Sequence, residues 1–273
     1  GGVREPRGPQ LGSLGEFGIV HEATLRTYAR PEQVTMVDLR LDDPTILDRV
    51  LSDWLLTEAA PGAMSLSNEP QVWTLHVAYF GRSGACAVQQ RSLETLVDHI
   101  DGLHVIGSNH EPLDHALQTF RARSAWRRGV SSLVKVMLPP GVTGQVCAEF
   151  EAWSEANVHV TVEAFPAHGC LFVGGELSPH GARKLNDIAT YFCRTHLGQY
   201  AWYARPSVAP EAPRIAPFGP PQPDWPMLLR LKRAMDPRGI FNPGRFVQPA
   251  RADSPIAQQE AAAPGRKRRK KRG

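Results

Sequence analysis

The sequence is poor in cysteine and has no long apolar stretch. Its 273 residues include four widely separated cysteines: Cys86, Cys147, Cys170 and Cys193. None forms a Cys-x-x-Cys pair, so the pattern does not favour a structural zinc site or a thioredoxin-type centre, and it is typical of a reduced, cytoplasmic protein. No apolar run approaches the roughly 18–20 residues that a membrane-spanning helix requires. No signal-peptide pattern is visible. The sequence starts with Gly1-Gly2 and not with Met, so we expect it to be a fragment or a partial reading frame.

Outside its C-terminal tail the chain has no basic excess. The formal net charge is +4, but residues 266–272 read RKRRKKR and supply seven of the 31 Lys and Arg residues. The other 24 basic residues stand against 27 acidic ones, a balance of −3. A terminal basic run is usually solvated and attracts nucleic acid without selectivity. We therefore do not expect a nucleic-acid partner. A nucleic-acid-associated protein is the weakest hypothesis for this sequence, behind the two that are given at the end of this subsection.

A glycine-rich turn, GSLGEFG at residues 12–18, lacks the spacing of the dinucleotide fingerprint Gly-x-Gly-x-x-Gly. A strand pattern at 19–28 follows it, whereas the fingerprint leads into a helix. Glycines at 12, 15 and 18 permit positive φ and a close approach of the backbone to a ligand. The N–H groups of such a turn also attract anions. From these residues alone, an ordinary turn and a ligand-binding turn remain equally good interpretations.

The middle of the chain alternates strand and helix patterns. In its second half we predict strands at 131–140, 158–165, 169–175 and 199–205, and helices at 143–156 and 179–197. This is β-α-β-β-α-β, the ferredoxin-like order. The first half is a looser copy, with strands at 34–41, 71–80 and 103–106, and helices at 45–60, 85–100 and 111–126. We predict an α+β fold in which two such units share one sheet with helices on one face.

The chain then passes through a stiff linker to a second punctuated motif. Residues 206–226 contain eight prolines, which favour an extended segment. A helix pattern at 225–235 runs into DPRGIFNPGRF, residues 236–246, with two Pro–Gly turns close together. Stopping one helix does not require two such turns. We expect this motif to return the chain to the site begun at residues 12–18.

The two motifs, GSLGEFGIVHEATLR and LKRAMDPRGIFNPGRF, together resemble those of FAD-linked oxidases of the vanillyl-alcohol oxidase (PCMH-type) superfamily. The resemblance covers roughly residues 10–248 and is greatest to the FAD-binding subunit of glycolate oxidase and to D-lactate dehydrogenase. It implies the C-terminal edge of a PCMH-type FAD-binding domain and a ferredoxin-like cap. The expected divisions are 1–30 and 227–248 for the FAD domain, 31–205 for the cap, 206–226 for the linker and 249–273 for a disordered basic tail.

The resemblance also implies roles for individual residues. The family's Gly-Ser-x-Gly turn lies against the flavin pyrophosphate and ribityl groups, and the residues after it run past the cofactor; the matching residues are Gly12, Ser13, Leu14, Gly15, Gly18, Ile19 and Val20. Asn242 is implied beside FAD, Arg245 as the catalytic cation for a substrate carboxylate, and His168 as the base. In the simpler interpretations, Asn242 only forms a turn before proline and His168 is an exposed turn residue. The metal motif of related dehydrogenases retains only His168 and Glu176, so we expect no metal.

The expected function follows from the resemblance. A 2-hydroxy acid such as glycolate or D-lactate would be oxidised, with hydride passing to flavin N5 and electrons to a partner such as an iron–sulfur subunit. The expected location is cytoplasmic, or peripheral to the inner membrane through that partner. Only eleven residues of this sequence stand before Gly12, so we expect the upstream half of the family's flavin domain to be absent from this chain. Either a second polypeptide supplies it, or the chain is an incomplete copy. The alternative function is a non-catalytic cap or interaction subunit.

Overall fold

The chain forms two compact units. The computed structural model describes residues 12–54, 61–68, 72–157, 159–206, 215, 217–219 and 222–242. Unit 1 comprises residues 1–26 and 220–273, and unit 2 comprises residues 27–219. In unit 1, helix α6 spans Trp225–Met235.

Unit 2 repeats one supersecondary pattern twice. The first copy consists of β1 (Gln33–Leu41), α1 (Ile46–Trp54), β2 (Ala63–Ser67), β3 (Trp73–Gly81), α2 (Ser83–Asp98) and β4 (Leu103–Glu111). Helix α3 (Leu113–Arg123) and a 3₁₀ turn (Ala125–Arg127) connect the copies. The second copy consists of β5 (Ser132–Met137), α4 (Thr143–Asn157), β6 (Thr161–Phe165), β7 (Cys170–Gly175), α5 (Pro179–Thr195) and β8 (Gln199–Ala204). The predicted duplication of β-α-β-β-α-β is therefore confirmed.

The two copies share one antiparallel sheet. The described strands are ordered β4-β1-β3-β2-β6-β7-β5-β8, so each copy contributes the same internal order, read from opposite edges. The copies meet along β2 and β6, where Leu66 pairs with Ala164 and Ser67 with Glu163. Because side chains alternate across a strand, the register places Leu66 and Ala164 on one face, and Ser67 and Glu163 on the other.

The main core lies between one face of the sheet and four helices. α1, α2, α4 and α5 all bury apolar side chains there against strand residues such as Leu39, Leu75, Val134 and Val173. On the first of these helices, α1, the buried residues are Leu47, Val50 and Trp54. All four cysteines are buried and free. Burial raises the pKa of the Cys193 thiol to about 12, so this thiol is inert near neutral pH.

The opposite face carries helix α3, so the prediction that the helices lie on one face is wrong for this helix. A smaller apolar cluster joins Val34 and Met36 of β1, Ala78 of β3 and Ala116 of α3. β1 is therefore buried on both of its faces. The same face also holds polar residues, among them Asp38 of β1, His76 of β3 and Glu163 of β6.

Two sequence-based assignments are wrong. A strand was predicted at 19–28, but residues 18–31 form none, and Ile19 and Leu25 are each 81% exposed. Strand propensity at these residues is not sufficient, because a strand also needs a neighbouring strand to accept and donate its backbone hydrogen bonds. Conversely, β2 was missed, because its sequence AMSLS has little strand propensity and becomes a strand through pairing with β3 and β6. Within the described residues, no helix is both long and apolar enough to cross a bilayer.

Candidate functional site

The glycine turn of unit 1 has an unusual backbone. Gly12, Leu14 and Gly15 all have positive φ, at 79°, 54° and 76°. A leucine in the left-handed region is uncommon and costs roughly 1–2 kcal/mol, so neighbouring contacts must hold it there. The turn closes through a hydrogen bond of 3.0 Å from Glu16 N to Ser13 O.

One lysine ties this turn to the C-terminal motif. Lys232 Nζ donates to the carbonyl oxygen of Glu16 at 2.5 Å, to that of Phe241 at 2.6 Å and to Asp236 Oδ2 at 2.6 Å. These three acceptors match the three protons of an ammonium group. Asp236 in turn accepts the backbone N–H groups of Ile240 and Phe241. The hydrogen bond from Lys232 lowers the pKa of Asp236 to about 2, against the opposing effect of burial.

The two motifs also touch directly. Asn242 Nδ2 donates to the carbonyl oxygen of Leu14 at 2.6 Å, and Asn242 itself has φ of 37°. A Cβ atom added to Gly15 would lie 2.8 Å from Asn242 Nδ2, so only glycine leaves room for this contact. The expectation that these distant segments meet is confirmed by this geometry.

We expect Gly15→Ala to loosen the turn more than Gly12→Ala does. Both positions have the same positive φ and so carry the same strain of about 1–2 kcal/mol, but only the Gly15 methyl collides with Asn242. Loss of the Asn242 hydrogen bond would add about 0.5–1.5 kcal/mol. Amide hydrogen exchange of residues 12–26, measured by mass spectrometry, checks this. Equal exchange in the two variants would contradict the expectation.

The other predicted site residues fall in different surroundings. Ser13 is buried in the turn, whereas Ile19 and Val20 are exposed. Arg245 lies outside the described residues. His168 belongs to unit 2, where it is exposed at the end of a 3₁₀ turn (Pro166–His168) between β6 and β7.

His168 lines a cavity on the polar face of the sheet. The cavity has a volume of about 310 Å³ and is lined by residues from 61–65, 120–124 and 163–168. It therefore lies among β2, β6 and the end of α3. Its walls include the apolar side chains of Met64, Phe120 and Phe165, together with the ionisable groups of Arg123 and Glu163.

Arg123 is held by an acidic residue of β1. Its Nη2 donates to Asp38 Oδ2 at 2.9 Å and Oδ1 at 3.1 Å, and His76 Nδ1 lies 2.8 Å from Oδ1. Burial raises the pKa of Asp38, but the hydrogen bond from His76 and the charges of His76 and Arg123 outweigh it, so the pKa is lower than usual. Asp38 is therefore ionised at neutral pH and orients both His76 and Arg123.

Glu163 of β6 is buried with its charge compensated. Its carboxylate accepts from Ser124 Oγ at 2.5 Å and from Trp126 Nε1 at 3.1 Å, and Arg127 Nε lies 3.2 Å away. The guanidinium of Arg127 also stacks over the Phe172 ring, 4.3 Å from its centroid. The turn after α3 is thereby fixed to the sheet.

Sequence reasoning missed the residues that organise both regions. Asp38 follows Val34 and Met36 on one face of β1, and a charge in such an apolar series is rarely buried unless it is paired, so this signal would have found Asp38. Glu163 occupies a polar position of the alternating strand VHVTVEAF, where an exposed residue is expected, so the sequence does not distinguish it. Lys232 and Asp236 have an i, i+4 spacing that also occurs in ordinary surface pairs, so the sequence alone does not distinguish them. Among the described residues, no group of three or more His, Cys, Asp or Glu side chains is arranged to hold a metal ion.

Comparison with solved structures identifies the fold. The chain is similar to xylooligosaccharide oxidase from Myceliophthora thermophila in complex with xylobiose (TM-score 0.55, 15% identity, 83% of this chain and 57% of that one). It is also similar to glucooligosaccharide oxidase from Acremonium strictum, which carries a 6-S-cysteinyl, 8α-N1-histidyl FAD (TM-score 0.57, 13% identity, 86% of this chain and 60% of that one). A third similar structure is alkyldihydroxyacetonephosphate synthase (TM-score 0.52, 12% identity, 89% of this chain and 50% of that one).

The chain therefore has the same fold as the corresponding part of these three proteins. The fold class predicted from the sequence is thus confirmed. Identities of 12–15% show the fold alone, and the chain spans between 50% and 60% of the length of these three proteins. No protein-family model matches the sequence. No curated protein matches it either.

Proposed function

We propose that the chain is the C-terminal portion of an FAD-dependent oxidoreductase. The observation that carries the proposal is the contact of Asn242 with the Leu14 carbonyl, in a chain that has the fold of FAD-binding oxidases. On this proposal residues 1–30 and 227–248 belong to the flavin-binding domain. Residues 31–205 form the cap, 206–226 the linker and 249–273 the tail.

The glycine turn fits a flavin nucleotide chemically. Apart from the adjoining residues of the chain, no heavy atom of the described residues lies within 4 Å of the Cβ positions of Gly12 and Gly18, so the backbone there is open to close approach by a ligand. The exposed apolar side chains of Ile19 and Val20 provide a surface for an aromatic or ribityl group. Bound FAD would supply the hydride acceptor, flavin N5. Asn242, through the Leu14 carbonyl, would hold the turn in its binding conformation.

We propose a 2-hydroxy acid, such as glycolate or D-lactate, as the substrate. Arg245 would pair with its carboxylate, and His168 would remove the hydroxyl proton. The electrons would pass on to a partner such as an iron–sulfur subunit. His168 lies at the edge of a cavity, which supports a position near substrate. The solved structures named above are oligosaccharide oxidases and a synthase, so the acid specificity rests on the sequence resemblance.

Binding of FAD is the direct test. We expect the full chain, after incubation with FAD and dialysis, to retain flavin absorbance, and Ile19→Glu to weaken binding by about tenfold or more because it places a carboxylate on the apolar surface offered to the aromatic or ribityl group. Leu25→Glu is the matched control, since Leu25 is equally exposed and has no predicted flavin contact. Anaerobic bleaching of the bound flavin by D-lactate would then test the substrate class.

Two results would contradict the proposal. If the chain retains no flavin, the alternative of a non-catalytic cap or interaction subunit replaces it. If Leu25→Glu weakens binding as much as Ile19→Glu does, the flavin does not lie along the residues after the glycine turn. Substitution of His168 by Asn should leave FAD retention unchanged but slow the bleaching of the flavin by D-lactate. This result would show that His168 acts on the substrate and does not bind the cofactor.

A further inference from the structure

The cavity beside His168 is too large for the smallest 2-hydroxy acids. Its volume of about 310 Å³ is at the lower end of the range for binding sites of drug-sized ligands, roughly 300–1,000 Å³. A two- or three-carbon acid would leave most of it unfilled. Phe120 and Phe165 line it from α3 and β6, and Met64 contributes a thioether, which packs favourably against aromatic rings. The walls therefore suit a flat apolar group.

Arg123 supplies a cation with unused hydrogen-bonding capacity. Its Nη2 is engaged by Asp38, whereas its Nη1 is a buried nitrogen that has no hydrogen-bond partner among the residues the structure describes. Buried polar atoms normally have a partner, so an orphan donor in a residue that lines a cavity points to an acceptor provided by a ligand. A carboxylate is the acceptor that a guanidinium binds most strongly.

The other charges near the cavity do not compete with Arg123. The carboxylate of Glu163 is neutralised by Arg127 and already accepts hydrogen bonds from Ser124 and Trp126, so it would not repel an anion strongly. Arg127 is committed to Glu163 and to the ring of Phe172, and it does not line the cavity. Arg123 is therefore the cationic lining residue among the described residues.

We propose that this cavity binds an aromatic monocarboxylate, with the carboxylate on Arg123 Nη1 and the ring against Phe120 and Phe165. That this ligand is the substrate, an aryl-substituted 2-hydroxy acid, rests on the proposed function, with Arg123 in place of Arg245 as the partner of the substrate carboxylate. Its hydroxyl-bearing carbon would then lie within the cavity that His168 lines. Asp38 is a positioning residue, because it fixes the guanidinium through Nη2 and leaves Nη1 for the ligand.

Isothermal titration of the full chain with D-3-phenyllactate, without added FAD, tests the proposal. We expect phenyllactate to bind at least about tenfold more tightly than glycolate, and Arg123→Met to weaken its binding by about tenfold or more. Arg121→Met is the matched control, since Arg121 is an exposed arginine on the same helix. Ala167→Trp should also block binding, because Ala167 is exposed at the cavity wall and a large ring there fills the space without removing charge.

The outcomes separate this inference from the proposed function. No binding of phenyllactate, or equal affinities for wild type, Arg123→Met and Ala167→Trp, would overturn the cavity proposal even if the chain retains FAD. Binding that depends on Arg123 in a chain that retains no FAD would support the cavity and refute the flavin proposal. Because Ala167→Trp leaves the Asp38–Arg123 pair intact, it remains informative if Arg123→Met fails to fold.

Discussion

Replacing Phe150 with alanine is expected to lower the free energy of unfolding of unit 2 by about 3–5 kcal/mol, the usual cost of removing a buried aromatic ring. Phe150 lies on α4, is fully buried and contacts Phe192 of α5 with ring centroids 5.0 Å apart and planes at 64°. This edge-on geometry contributes about 0.5–1.5 kcal/mol beyond the area buried. The pair joins the two helices that cover the second copy of the repeat.

Chemical denaturation monitored by circular dichroism measures the effect of Phe150→Ala. We expect the midpoint to fall with an unchanged dependence on denaturant, since the folded structure buries a similar surface. Phe150→Leu should lower the free energy of unfolding by less than Phe150→Ala does, because it leaves a smaller cavity. Val88→Ala, at an exposed position of α2, should change stability by no more than about 0.5 kcal/mol. A loss below about 1 kcal/mol for Phe150→Ala would show that the helical layer is not packed as described.

The second copy of the repeat was predictable because its signals are local. Its strands alternate apolar and polar residues, as in VHVTVEAF, and the fully buried Val162 and Ala164 follow that alternation. The first copy was harder, because β2 is short and serine-rich and depends on neighbours remote in sequence for its pairing. β4 was predicted at 103–106 but extends to Glu111, since its mostly exposed, polar C-terminal half shows no apolar pattern.

The candidate sites were predictable only in part, for a related reason. The glycine turn and Asn242 have recognisable residue types, and the structure brings them into contact. Lys232 is invisible in the sequence because its role depends on carbonyl groups at Glu16 and Phe241, which belong to segments far apart in the chain. The cavity is likewise assembled from three separate segments. Sequence patterns report local conformation well, whereas sites are formed by long-range contacts.

Gly169→Ala is expected to destabilise unit 2 by about 2–5 kcal/mol, through overlap with the backbone and through strain. Gly169 ends the turn that carries His168, with φ of 57° in the left-handed region. A Cβ atom there would lie only 1.8 Å from the carbonyl oxygen of Leu138, which no side-chain rotation relieves. The same residue accepts a hydrogen bond of 2.7 Å from Leu138 N. Any shift that relieves the overlap therefore breaks this bond and displaces the turn at the cavity edge.

Two companion variants isolate the cause in the same denaturation experiment. Gly141→Ala should be tolerated, because Gly141 lies in a nearby 3₁₀ turn (Pro140–Val142), has no positive φ and has open space at its Cβ position. Gly169→Asn should destabilise nearly as much as Gly169→Ala, since asparagine accepts the left-handed conformation but still carries the colliding Cβ. If asparagine restored wild-type stability, backbone strain alone would explain the alanine variant. The close approach of Gly169 to the Leu138 carbonyl would then be wrong.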